Sequence, residues 1–278
     1  MRKTLTMLRR QPLGAAGGVI VLVLIAVAVL APRLAPHGPK EATFAPYLAP
    51  SAEFPMGTDQ LGRDVLSRVI WGARLSLYVG LVSVLFGITA GSLWGAVTAY
   101  LGGAADTGSQ RVVDSVMALP PIILALALMA ALGQSVNNVI IALVVLLTPT
   151  AARTVRSIAL GIIASPYMES ARAVGASNRR IIARHLIPNC MAGYIVLVTT
   201  NVSYAIVVEA SLSFIGAGAP PDEPSWGGML TAGIQAIETA PWMIFFPGVA
   251  ISLAVFGLNL FGDSIRDVTD PRLRGGLG

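Results

Sequence analysis

The chain has 278 residues, of which 55% are hydrophobic and only 12% charged, and its mean hydropathy is +0.74. Soluble domains carry about 25% charged residues, so the composition excludes a water-soluble enzyme, a disordered chain and a fibrous one. The single cysteine excludes an intramolecular disulfide and the two histidines, His37 and His185, leave little for a metal site, while the net charge of +5 sits between long apolar runs and reports membrane topology rather than nucleic acid.

Five stretches contain no Asp, Glu, Lys or Arg: residues 11–32, 75–105, 115–152, 186–208 and 239–262. A bilayer core of ~30 Å takes about 20 helical residues, so four of these stretches are one span each. Their apolar character is continuous rather than alternating, which favours helices over barrel strands. Residues 1–12 form a tail with Arg2, Lys3, Arg9 and Arg10, and 13–34 the first helix. A cleaved signal peptide is the rival reading; the length of the run and the spans that follow speak against it.

Residues 35–72 are extracytoplasmic and proline-rich, with little regular structure expected before 57–64. From Asp64 a short helix is expected along the membrane surface, leading into the second span. That span carries Gly87, Gly91 and Gly95, two overlapping G-x-x-x-G steps that let helices pack closely. The stretch 115–152 is too long for one span, and its polar turn at 133–138 divides it into 115–132 and 139–152, the second reaching past Arg153. Asp114 is expected to pair with Arg111, and Arg153 and Arg156 to snorkel to the membrane surface. Residues 73–262 thus form a five-helix core with a loop at 159–188 and another at 217–240, followed by a tail at 263–278. With the N-terminus inside, fourteen of the nineteen basic residues face the cytoplasm and five face outward: Arg33, Lys40, Arg63, Arg68 and Arg74. The predicted fold is an all-α integral membrane protein with six transmembrane helices and both termini cytoplasmic.

Some chemistry is absent from the sequence. Neither Lys3 nor Lys40 follows a glycine, so a phosphate-binding G-x-x-x-x-G-K-[ST] loop cannot form, and there is no H-E-x-x-H or G-x-S-x-G. The cytoplasmic loop 159–188 is richer. It reads as two short helices, the first capped by Ser165 and Pro166. Ala171 and Ala173 are small enough for a close partner, and Gly175 permits a tight turn. The second helix sets Ile181, Ile182 and Leu186 against Arg179, Arg180 and Arg184, with Pro188 ending it. A plain surface hairpin bearing topology-marking arginines explains the same residues.

That loop resembles the signature of binding-protein-dependent ABC importer permeases: Glu-Ala-Ala, a glycine after three residues, and a Leu-Pro ending. Glu169, Ala171, Gly175 and Pro188 stand at matching positions, with Ser170, His185 and Ile187 as departures. Residues 57–68, 209–216, 224–227, 259–263 and 270–274 look like further segments of the dipeptide/oligopeptide/nickel type, "C" subunit. The resemblance implies a cytoplasmic coupling helix (Glu169, Ala171, Arg172, Ala173, Gly175, Arg179, Arg180, Pro188) in a multi-pass protein of the cell's inner membrane. It implies a second homologous permease, two ABC ATPases that carry the ATP and Mg, and an extracytoplasmic solute-binding protein. This chain itself then binds lipid, no cofactor and no nucleic acid, and is not an enzyme.

Glu209, with Ser211 and Asn201, is a candidate for the translocation path, although a structural acid bonded to serine suits Glu209 equally. Asn201, Ser203 and Tyr204 line a polar path or join helices. Asp222, Glu223 and Trp226 are candidates for an outer gate or docking surface; an interfacial tryptophan is the plainer reading of Trp226. The function expected is ATP-driven import of peptides or similar small solutes by alternating access. A secondary transporter or channel working alone, and a scaffold without transport, are the alternatives.

Overall fold

A computed structural model describes residues 12–269 of the chain. The expected basic tail around Arg2, Lys3, Arg9 and Arg10 and the segment 270–274 lie outside the described residues. Eleven segments follow in order: α1 (Pro12–Leu34), α2 (Val65–Leu101), α3 (Gly103–Met117), α4 (Pro121–Leu132), α5 (Val136–Ile163), α6 (Pro166–Ala173), α7 (Asn178–Ile181), a π turn (Ile182–Leu186), α8 (Ile187–Phe214), α9 (Trp226–Ile234) and α10 (Trp242–Thr269). Among the described residues five helices are long and apolar enough to cross a membrane, and α3 with α4 makes a sixth crossing only if this pair, bent by 87°, is counted as one.

The stretch 115–132 is not one straight helix: α4 counts toward a crossing only together with α3, as a broken span. Pro120 and Pro121 cannot continue a helix that began at Gly103, and α4 alone, at 12 residues, is ~18 Å long, well short of the bilayer core. The α5 helix is longer than expected and carries Arg153 and Arg156 in its second half. The surface helix expected after Asp64 is instead the first turns of α2, an unbroken helix of 37 residues. Asp64 caps it, accepting from the Ser67 amide at 2.9 Å and the Ser67 hydroxyl at 2.6 Å.

Pro188 does not end the cytoplasmic segment: Asn178–Phe214 runs as one helix of 37 residues. The π turn just before the proline accommodates it. There the Ile187 amide reaches back five residues to the Ile182 carbonyl, so the register shifts where a proline amide cannot donate.

The α2 helix packs most extensively on α5. A side chain would not fit between them: a Cβ at Gly91 would lie 2.2 Å from the Thr148 carbonyl oxygen, and one at Gly95 would lie 2.1 Å from that of Ala152. The glycine stripe is a packing surface, as expected. The α1 helix lies against α10 with the same intimacy at Gly17 and Gly257. Arg153 and Arg156, expected to snorkel, are each held by an acid of α3. Arg153 pairs with Asp114, displacing the expected Arg111 pair, and Arg156 forks onto Asp106 with two bonds of 2.6 Å. These pairs tie the polar helix α3 to α5, leaving α4 to turn away.

Candidate functional site

One end of the bundle carries the hairpin. The Ser165 side chain donates to the Ile162 carbonyl and so does not cap α6; its backbone carbonyl accepts from Met168 and Glu169. At the other end of α6 the chain closes in a Schellman turn. The Ala176 amide donates to the Ala171 carbonyl at 3.2 Å and the Gly175 amide to that of Arg172 at 2.9 Å, with Gly175 at φ +77°. The base of the hairpin is apolar. Met168, Ala171, Ile181 and Leu186 are buried against Ala96 and Ala99 of α2 and Val155 and Ala159 of α5. Ile182 is only half buried.

The opposite side of the hairpin is bare. Glu169, Arg172, Ala173, Gly175, Arg179, Arg180 and Pro188 are exposed, and Val174 at the tip is 85% exposed. Sequence reasoning missed Val174, although a branched apolar residue beside the turn glycine is a signal. It also missed Tyr100, at the end of α2. The Tyr100 hydroxyl donates to Asn178 Oδ1 at 2.9 Å, and the Arg172 guanidinium lies 5.8 Å from its ring centroid. A second tie joins Tyr167 of α6 to His185 of the π turn, oxygen to Nδ1 at 2.5 Å.

The other end is built on the stretch 57–68. The Asp59 carboxylate is its hub, accepting from the Leu61 and Arg63 amides and from Arg63 Nε at 2.6 Å, with Arg68 Nε at 3.8 Å. Gly62, at φ +70°, brings the backbone so close to the Phe44 carbonyl that a Cβ would lie 2.0 Å from its oxygen. His37, Phe44 and Phe54 stack beside this knot. The segment therefore folds on itself through turns rather than helices.

Trp226 belongs to the interior of this end. It is 1% exposed, its indole N–H donates to the Val69 carbonyl at 2.9 Å, and its ring fills the space beside Gly72. It is thus neither a surface anchor nor a lipid-interface tryptophan within this chain, because α9, which the expected loop 217–240 contains, folds down onto α2 and α8. Glu223 pairs with Lys40 at 2.8 Å, and this hydrogen bond raises the Lys40 pKa. Asp222 is exposed. A cleft of about 290 Å³ opens here between the knot, the end of α8 and α9.

The three candidate path residues do not share one face. Glu209 is 1% exposed and accepts from the hydroxyls of Ser213 at 2.8 Å and Ser76 at 3.2 Å. It joins α8 to α2, an arrangement that fits the structural reading of this acid. Ser203 is likewise a joint, donating to Asn259 Oδ1 at 2.5 Å. Asn201 is different. With Tyr204 and Thr150 it lines a groove of about 260 Å³ between α8, α5 and the α3–α4 corner. Ser211 is half buried and bonds the Val207 carbonyl of its own helix.

Residues 84–275 match the family described as the binding-protein-dependent transport system inner membrane component, and residues 1–61 match the N-terminal transmembrane domain of oligopeptide transport permease C. The dipeptide transport system permease protein DppC of Alkalihalophilus pseudofirmus is 38% identical over 98% of this chain and 90% of its own length. The glutathione transport system permease protein GsiD of Pectobacterium atrosepticum is 38% identical over 95% of this chain and 89% of its own. In fold, the chain is similar to a chain from the MetNI methionine ABC transporter in inward-facing conformations, with a TM-score of 0.60 and 22% identity over 73% of this chain and 96% of that one. The match over 84–275 and the near-complete overlap with these relatives establish that the chain belongs to the family of inner-membrane components of binding-protein-dependent transport systems.

Proposed function

We propose that this chain is one of two permease subunits of an ATP-driven importer for peptides or similar small solutes, with both termini and the hairpin cytoplasmic. The hairpin carries the reading: its apolar base is sunk into α2 and α5 while its tip, with Val174 and Gly175, stands bare. Such a tip suits a groove on a partner ATPase. ATP and its Mg stay on the ATPases, since this sequence has no phosphate-binding loop. Arg172, Arg179, Arg180 and Arg184 are exposed and suit acidic groups there. Movement of the docked hairpin passes through its buried base to the membrane helices and alternates access between the two sides. The groove with Asn201 and Tyr204, and Ser211 further along α8, suit a path against the second permease, and the end with Asp222 suits the docked solute-binding protein.

The family leaves the stand-alone transporter with no observation in its favour. The test is uptake into vesicles by the chain with and without its ATPases and a second permease. Uptake of a labelled peptide requires ATP and the full set of subunits; ATP-independent uptake by the chain alone refutes the reading. The orientation is tested in intact cells: a membrane-impermeant thiol reagent labels Asp222→Cys and spares Arg179→Cys, and the reverse pattern refutes it.

A further inference from the structure

The groove between α1 and α2 sets one free cation above an apolar wall. It holds about 260 Å³ and is walled by Ile25 and Val29 of α1 and by Arg74, Leu77, Tyr78 and Leu81 of α2. Arg74 is exposed, and neither α1 nor α2 contains an aspartate or glutamate to answer it. Among the described residues Arg63 and Arg68 find an acid in Asp59, but no acid pairs with Arg74. Its guanidinium lies 5.5 Å from the centroid of the Trp71 ring, a contact that holds it at the lip of the groove. Arg33, also exposed and without an acid partner among the described residues, follows Val29 by one turn on the same side of α1. The charge-free stretch 75–105 begins immediately after Arg74. With Trp71 beside it, the guanidinium therefore stands at the border between headgroups and hydrocarbon.

The chemistry of the occupant follows from this layout. A cation at the mouth and an apolar wall below it call for an amphiphile with an anionic head. A protein partner would have to bring a carboxylate down to the edge of the hydrocarbon, where its desolvation is costly; a phospholipid already carries its phosphate at this level. The planar guanidinium forks onto phosphate oxygens. Tyr78 lies one turn deeper and is half exposed, so its hydroxyl can donate to an ester carbonyl of the same lipid. The wall from Leu77 to Leu81 and the facing Ile25 then take an acyl chain. A zwitterionic headgroup would bring an ammonium toward two arginines, which disfavours it. We propose that this groove binds an anionic phospholipid of the leaflet at the knot end, its phosphate held by Arg74 with Arg33. The assignment goes beyond the importer reading and holds whichever side of the membrane that leaflet faces.

The test uses the chain purified with its partner subunits and placed in nanodiscs of phosphatidylcholine. A phosphatidylglycerol with a photoactivated group on its acyl chain is added, and the adducts are mapped after illumination. They fall on residues 25–29 and 77–81. Unlabelled phosphatidylglycerol competes roughly tenfold better than phosphatidylcholine. Arg74→Gln brings that preference close to one, and Arg74→Lys keeps part of it. Because Arg74 is exposed, both variants keep the fold. Stronger competition by cardiolipin than by phosphatidylglycerol shows two bound phosphates and equal competition shows one; both support the proposal. Absence of adducts at these positions, equal competition by phosphatidylcholine, or a preference unchanged in Arg74→Gln overturns it. Arg74→Cys carrying a photoactivated crosslinker gives an independent measure: an adduct with phosphatidylglycerol supports the proposal, and an adduct only with the second permease overturns it.

Discussion

Gly175→Val separates the work of the hairpin from its stability. Gly175 sits at φ +77°, where an ordinary residue costs about 1–2 kcal/mol and a β-branched one more. No atom of this chain lies within 4 Å of the position its Cβ would take, so there is no internal clash to add. Against that strain stand Met168, Ile181 and Leu186 at the base, all at most 1% exposed. Burial of three such side chains stabilises by about 5–9 kcal/mol. The hairpin therefore stays seated in the variant and the membrane helices keep their packing. What changes is the tip, where a branched side chain enters space that the docked ATPase occupies. Detergent-purified complexes of Gly175→Val should lose the ATPases, and vesicles should lose ATP-driven uptake, while the permease pair remains intact. Gly175→Asn is the control, since asparagine adopts this backbone conformation with little strain. It should lose docking as well. If the asparagine variant docks and transports normally while the valine variant fails, strain and not close approach sets the sensitivity. If the valine variant itself assembles and transports normally, the hairpin is not the coupling element.

Gly91→Ala should destabilise the α2–α5 pair by about 1–3 kcal/mol or more, because its Cβ meets the Thr148 carbonyl at 2.2 Å; a melting profile in detergent equal to wild type refutes the packing argument. Glu209→Ala leaves the Ser76 and Ser213 hydroxyls without their acceptor and should cost about 2–4 kcal/mol, whereas Glu209→Gln keeps an acceptor oxygen and most of the stability; equal stability of all three proteins refutes the joint. Asp106→Asn should weaken the fork to Arg156 by about 1.5–3 kcal/mol, and a double-mutant cycle with Arg156→Lys should return a coupling energy near that value; a cycle that sums to zero refutes the pair.

What was legible in the sequence was whatever a local pattern specifies. Absence of charge marked the apolar helices, glycine spacing marked the α2–α5 contact, and the small residues around Gly175 marked the hairpin turn. The misreadings share one origin, which is partners distant in sequence. Arg153 and Arg156 read as cations reaching for the membrane surface; their partners, Asp114 and Asp106, lie 39 and 50 residues away. Trp226 looks interfacial because the Val69 carbonyl that accepts its N–H is 157 residues distant. The broken third crossing is a different case. Pro120 and Pro121 were visible, but the lack of charge across 115–132 outweighed them. In a membrane chain, proline is often tolerated inside a helix, as Pro149 and Pro247 are here. Two adjacent prolines beside a polar helix that carries its own ion pairs break it instead, so the chain passes from Tyr100 at the hairpin end to Gln134 at the knot end in two pieces, α3 and α4.

The α2 helix explains how the two ends of this molecule answer to one another. Its 37 residues span ~55 Å, against ~30 Å of hydrocarbon, so it emerges from both faces. It contains no proline, and its glycines are packed, Gly87, Gly91 and Gly95 against α5, Gly72 against Trp226 and Gly80 against Ile206 of α8. At one end Tyr100 holds Asn178 and underlies Arg172, while Ala96 and Ala99 take the base of the hairpin. At the other, Arg68 approaches Asp59 and reaches the Pro39 carbonyl, Val69 holds Trp226, and Ser76 holds Glu209. The knot, α9 and α8 are therefore all fastened to the rod that the hairpin grips. In the coupling proposed above, a tilt at Tyr100 would pass along this helix to the residues around the cleft. Coupling over this distance then needs no chain of small adjustments, only a stiff helix with a specific attachment at each end.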